Sequence, residues 1–358
     1  MFGLSVQPAD GGKPILLTAG MRYASFLGGA SLPANGSAVT MKPQPGNSKS
    51  LIVPRNLVRV YESGNPAGPV LACTTSLSYS GNTLSYRPKW ITPGKNPPNA
   101  SPAGYVDVFS VAYADRPTGG DFGILVSNGA NFMKITDSSY LGFVTYRGVI
   151  SVNGEWTIPS SVTALGNYIV FARWSNTDTP LYLDRDSNTI RTYTGFGSTA
   201  GSVQGGSVSN IQIVIVSCGF SPPLPASGFG IAIWNAAGQC VYSSALAPVM
   251  WSDAYYDFGS YENYDDTTGE VLSWVNPTGN VAQPMIPLCS LGIQRGDYSR
   301  NANNYSYRVC LESGFKMSGN AVSTARARST GREVVLYQYP KAMQVACQLP
   351  CLDASHYF

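Results

Sequence analysis

Phe2-Gly3-Leu4-Ser5-Val6 opens the chain, and nearly the same run returns at Phe122-Gly123-Ile124-Leu125-Val126 and Phe229-Gly230-Ile231-Ala232-Ile233. In each stretch the large apolar side chains stand two apart, the period of a β-strand with one face on a core. Residues that tolerate positive φ follow each time: Asp10-Gly11, Asn128-Gly129 and Asn235-Ala236-Ala237-Gly238. A reversal there predicts a β-hairpin in every copy, with Pro14–Thr18, Phe132–Thr136 and Cys240–Tyr242 as the returning strands. The first and third copies align without gaps from Phe2–Gly11 to Phe229–Gly238. The chain therefore reads as internally triplicated, an organisation commoner in scaffolds and extended assemblies than in single-site enzymes.

The likeness extends beyond the hairpins. Tyr23-x-x-Phe26 is echoed by Tyr140-x-x-Phe143, and Asn56–Val60 by Asn167–Phe171. Each unit is expected to close on a strand: Val106–Val111, then Ile211–Val216, then Glu333–Tyr337. Pro/Gly-rich punctuation at Asp115–Gly120 and Ser221–Pro225 separates the copies. These signals divide the chain into units at 1–117, 118–222 and 223–358. Short β-branched and aromatic runs between Gly, Pro, Asn and Ser, with no sustained helical period, predict an all-β fold of tandem small β-sandwich-like domains, each opened by a hairpin.

Composition narrows the function. Charged residues make up 12% of the 358, about half the usual ~25%, so the surface must be built largely from uncharged polar groups. A net charge of +3 is too small for a nucleic-acid footprint, and the aromatics are not interleaved with Lys and Arg. No nucleic-acid partner is expected. No run approaches the roughly 20 apolar residues of a membrane span, and Met1–Val6 has neither the basic nor the long apolar part of a signal peptide. The product is expected to be made in a cytosol. Seven cysteines, an odd number in a long chain, point to buried thiols rather than a disulfide framework.

Catalytic kits are scarce. The single histidine, His356, lies two residues from the end, a poor place for the base of a Ser-His-Asp or Cys-His mechanism. Cys347 and Cys351 with His356 form only a partial metal-ligand set, with no second tight pair, so neither a metal nor another cofactor is expected. Gly195-x-Gly197-x-x-x-Gly201 lacks dinucleotide-loop spacing and reads as a flexible loop. Asp184-x-Asp186-x-Asn188 starts like a calcium loop, but Thr189 and Gly195 stand where Gly and Glu are needed. It reads as a surface turn.

One stretch concentrates chemistry. Between Trp251 and Glu270 lie six carboxylates, four tyrosines and no Lys or Arg. Trp251, Tyr255, Tyr256, Tyr261 and Tyr264 with Asp257, Asp265 and Asp266 suit sugar recognition, where aromatic faces stack on rings and carboxylates accept hydroxyl hydrogen bonds. The same stretch could serve as an interface loop, and a glycosidase would need only two of its carboxylates at suitable separation. Downstream, residues 295–332 carry a net +5, including Arg326, Arg328 and Arg332. The two opposed blocks can pair inside the unit or across a subunit boundary, and in a sparsely charged chain the boundary, where they would set register in assembly, is the favoured expectation.

The motif of Phe-Gly-aliphatic-x-aliphatic, a short Asn/Asp/Gly turn, a returning strand and Tyr-x-x-Phe resembles the N-terminal hairpin of tail-tip and central tail-fibre structural proteins of long-tailed, siphovirus-like bacteriophages. Phe2–Val6, Asp10-Gly11 and Tyr23-x-x-Phe26 carry the resemblance, repeated at Phe122–Ile124, Asn128-Gly129 and Tyr140-x-x-Phe143. It covers about the opening thirty residues of two units and ten of the third, which lacks the Tyr-x-x-Phe pair. The resemblance implies a non-enzymatic virion structural protein, assembled in the host cytoplasm and residing in the tail. Its partners would be other phage tail proteins and further copies of itself, as a trimer, with a host-surface glycan or protein as receptor. Unit 1–117 would dock onto the tail and unit 223–358, the longest, would face the receptor. A soluble carbohydrate-binding adhesin is the second expectation, and a glycan hydrolase using Asp257, Asp265 or Asp266 the third.

Overall fold

The computed structural model describes residues 3–7, 13–18, 22–45, 48–61, 70–91, 102–112, 123–128, 131–136, 141–197, 201–225, 230–235, 237–251, 253–264, 270–299, 306–333, 340 and 342–358. The fold is all-β. Among these residues the helical elements are one turn at Ser160–Thr163 and a 3-10 turn at Ala354–His356.

All three openings are hairpins, each a separate two-stranded sheet. Gly3–Val6 pairs with Ile15–Thr18, Gly123–Asn128 with Asn131–Thr136, and Ala232–Trp234 with Cys240–Ser243, all antiparallel. In the third turn the Asn235 side chain accepts from the backbone N–H groups of Ala237 and Gln239, and Gly238 takes φ +75°. Only a residue without a Cβ adopts that conformation without cost. Phe2, Phe122 and Phe229 lie outside the described residues.

After each hairpin the same topology follows. An opening strand and a second strand flank a closing strand that is inserted between them. In the first unit these are Arg22–Pro33, Ser48–Asn56 and Pro102–Ala112. In the second they are Phe143–Asn153, Asn167–Arg173 and Ser207–Cys218. In the third they are Ala254–Phe258, Pro284–Pro287 and Cys347–Asp353. A long antiparallel pair covers the three: Val70–Ser80 with Thr83–Ile91, Asn176–Asp184 with Thr189–Gly197, and Ser306–Ser318 with Ala321–Glu333.

Three expectations need correction. The counterpart of 167–173 is Ser48–Asn56, because that strand, not Asn56–Val60, pairs with the closing strand. The third unit closes on Cys347–Asp353 rather than Glu333–Tyr337; Glu333 ends the preceding strand and 334–339 lie outside the described residues. Gly195–Gly197 is not a loop but the end of a strand, with Gly197 paired to Gly201.

Strand alternation explains how the units meet. Closing strands are buried on both faces, as near-continuous apolar runs require. Ile211, Ile213 and Ile215 point into one buried cluster, whereas Val214, Val216 and Cys218 point the other way, into a second. Val106 and Val108 against Phe109 and Val111, and Leu349 and Cys351 against Leu352 and Ala354, divide in the same manner. The first sets of all three units join in one cluster, and the second sets merge into one common core with Tyr23, Phe26, Phe143, Phe171, Met250, Trp251, Met285 and Tyr357. Phe26 and Phe109 pack at 5.3 Å between ring centroids.

Each unit is also hydrogen-bonded to both others. Ser25 bridges Leu141, Met250–Trp251 pairs with Arg22–Tyr23, and Phe143–Val144 pairs with Ala247–Pro248. The units are thus tandem in sequence and triangular in space. The third hairpin is packed down, since Cys240–Ser243 is buried throughout and Tyr242 belongs to the common core. The first two lie side by side, Ile15–Thr18 against Gly123–Asn128.

Candidate functional site

The aromatic and acidic stretch enters the fold as a strand, and its alternation decides which side chains are available. Asp253 takes φ +53°, breaking the strand after Met250–Trp251. The broken piece goes to the sheet of the first unit, and Trp251 is buried in the common core. In Ala254–Phe258 the residues Ala254, Tyr256 and Phe258 turn inward. Tyr256 is fully buried, donates to Asn320 O at 2.8 Å, and has its hydroxyl pushed well up by burial. Trp251 and Tyr256 therefore belong to the packing and not to a surface.

Tyr255 and Asp257 point outward. The half-buried Tyr255 ring meets Trp251 edge-on at 5.1 Å, and Lys49 Nζ stands 4.4 Å above its centroid. Its hydroxyl is buried without a hydrogen-bond partner among the described residues. The ring borders a cleft of about 470 Å³ between the first and third units, lined also by Lys49, Ser50, Ser78, Tyr79 and Gln348. Asp257 is exposed; burial, and then this carboxylate, push the Cys347 thiol up to about 12.

The other expected residues disperse. Tyr261 is half-buried, and burial raises its hydroxyl. Tyr264 is 51% exposed and donates to Glu262 Oε2 at 3.1 Å. Asp265 and Asp266 lie outside the described residues.

The charge blocks pair within the chain. Glu262 accepts from Lys89 of the first unit, and Asp253 meets Arg22 at 3.4 Å. Glu270 takes Lys316 at 2.6 Å and the Arg326 backbone N–H at 2.9 Å. Arg328 reaches Asp184 at 3.4 Å and Asp186 at 3.1 Å in the second unit. Arg332 lies in the strand Ala321–Glu333. The Glu270 contacts lie inside the third unit, while Arg22–Asp253, Lys89–Glu262 and Arg328–Asp186 join the third unit to the first and second. Asp184 and Asp186 face arginines across a turn, with Asn188 at φ +54°.

A second polar region escaped the sequence reading altogether. Asp107, on the closing strand of the first unit, is 1% exposed and receives both Arg55 Nε, at 2.6 Å, and Arg55 Nη2. Gly29 makes room for the pair: a Cβ there would stand 2.8 Å from Asp107 Oδ1. Nearby, Glu312 accepts from Asn56 at 3.2 Å and from the Tyr182 hydroxyl. First, second and third units each contribute, so this is a polar counterpart of the common core. The charges come singly from separate strands, and no motif spacing could have announced them.

All seven cysteines are free, with six buried. Burial pushes Cys310 and Cys351 up to about 12. No group of three potential metal ligands forms among the described residues, and no helix there is long and apolar enough to cross a membrane. The chain belongs to DUF6453, a family of unknown function, whose model matches residues 3–339 and so spans all three units. No curated protein and no solved structure matches it significantly.

Proposed function

We propose that the chain is a structural component of a tailed bacteriophage virion, a tail-tip or tail-fibre protein that contributes to assembly and host attachment. One observation carries the reading. Three topologically equivalent β-units, each opened by a hairpin, close a triangle around a shared core. Such a repeated, tightly coupled body supplies similar contact faces from a single chain, which suits docking between other tail proteins. The described charge pairs lock the units to one another, as a load-transmitting part requires. The test is co-purification: antibody against the chain should detect it in purified particles at a fixed, low copy number. Its absence from particles that retain the rest of the tail would overturn the reading.

A second reading, a carbohydrate-binding adhesin, draws on the Tyr255 cleft. Lys49, Ser50, Ser78 and Gln348 line it beside the Tyr255 ring, and their polar groups can donate to and accept from sugar hydroxyls. Full-length protein should then bind a glycan array and lose that binding with Tyr255→Ala. The whole chain is needed, because the units share a core.

A further inference from the structure

A cleft of about 230 Å³ opens at the polar meeting point of the three units, and four of its lining residues are Arg55, Arg59, Arg185 and Arg328. We propose that it binds a small oxyanion, a carboxylate or a phosphate group, with Arg185 as the principal contact.

The described carboxylates around the cleft are already engaged. Asp107 is occupied by Arg55. Asp184 is shared by Arg191 at 2.9 Å and Arg328 at 3.4 Å. Glu312 receives Asn56 and Tyr182, and Asp186 receives both Nη atoms of Arg328 at 3.1 Å. None of them is paired with Arg185, which gives one hydrogen bond, Nη1 to Tyr168 O at 3.0 Å, and lays its guanidinium over the Tyr168 ring at 5.1 Å. A guanidinium has five N–H donors in a planar fork that matches an oxyanion. The stacking fixes the plane of that fork while leaving most of its donors uncommitted. Burial, and then the charge of Arg55, hold the Arg185 guanidinium below its ordinary value, which is the cost an anion would relieve. Arg59 adds a second planar cation, over the Tyr105 ring at 5.4 Å. The cleft volume suits a single phosphate or sugar acid. Since all three units line the cleft, occupancy would tie them together and stabilise the native state by mass action.

Thermal unfolding and calorimetric titration of the full chain test this with inorganic phosphate and with glucuronate, each against sodium chloride at matched ionic strength. Either anion should raise the unfolding midpoint beyond the chloride control. The tighter of the two assigns the source: a free or esterified phosphate, or an acidic sugar. Arg185→Gln should weaken binding at least tenfold. Asp186→Asn acts with the opposite sign. Its side chain is 82% exposed, so folding is little affected, and removing its charge should tighten binding severalfold. No stabilisation by either anion over chloride, or equal affinity in wild type and both variants, would overturn the proposal.

Discussion

Two of the places where the three units meet differ in kind, one apolar and one charged. In the common core Phe26, Phe143, Phe171 and Trp251 come together without directional bonds. At the polar junction Arg55 with Asp107, Tyr182 with Glu312 and Arg328 with Asp186 are held by specific hydrogen bonds. Apolar contact scales with buried area and tolerates sliding, at roughly 25 cal/mol per Å². A buried charge pair yields little net stability, but misplacing either partner is costly. The difference suggests a division of labour: the core supplies cohesion, and the junction sets how the units are rotated against one another.

The largest effect is expected where cohesion is removed. Phe143 is 1% exposed and lies on the opening strand of the second unit, in the core shared by all three. Phe143→Ala should cost about 3–5 kcal/mol, from lost transfer energy and the cavity left behind. Because the core is common, denaturation should remain one transition, with tryptophan fluorescence and far-ultraviolet dichroism coinciding. Separate transitions for the units would show that the shared core does not couple them.

Breaking the junction should cost somewhat less. Asp107→Ala leaves Arg55 without its carboxylate, at about 3 kcal/mol, the lower end for a buried pair, because the Arg55 side chain is 21% exposed and can recover some hydration. Replacing both, Arg55→Met with Asp107→Leu, should restore stability to within about 1 kcal/mol of wild type. If the double variant stays as unstable as the single one, the pair contributes cohesion and the division of labour fails.

Hairpins and strands were legible because their signal is local: alternation at Phe2–Val6 or Ile211–Val216 needs no knowledge of the partner. What covers the second face of Ile211–Val216 was not legible, since an apolar run states that both faces are buried and not by whom. The third closing strand was missed for a nameable reason. Pro350 interrupts Cys347–Asp353, and a proline demotes a run as a central strand, while Glu333–Tyr337 shows a cleaner β-branched pattern. Charge blocks were visible, yet their partners Arg22, Lys89 and Asp184 are distant in sequence. Tyr256 was placed on the candidate surface because tyrosine composition does not reveal strand parity; one position either way decides between core and cleft.

The smallest predicted effect lies where a polar device serves the apolar core. Tyr357 fills part of that core and its hydroxyl accepts from the Met250 backbone N–H at 3.1 Å. The turn that delivers it is capped by Asp353, which accepts from Ser355 N–H at 2.9 Å and from Ala282 N–H at 3.0 Å. Although burial opposes it, these hydrogen bonds, led by Ser355, hold the carboxyl below its usual value. A depressed folded value means that the contribution is complete above the unfolded pKa, about 3.9, and fades as pH falls through the folded one. Asp353→Asn turns one of two accepting oxygens into a donor and should therefore cost about 1 kcal/mol at pH 7, the usual net size of one hydrogen bond, and the gap from wild type should shrink below about pH 4. Denaturation midpoints of the two proteins between pH 3 and 7 measure it. A gap independent of pH would mean that the cap acts through its shape and not its charge, and that the apolar meeting point needs no electrostatic support.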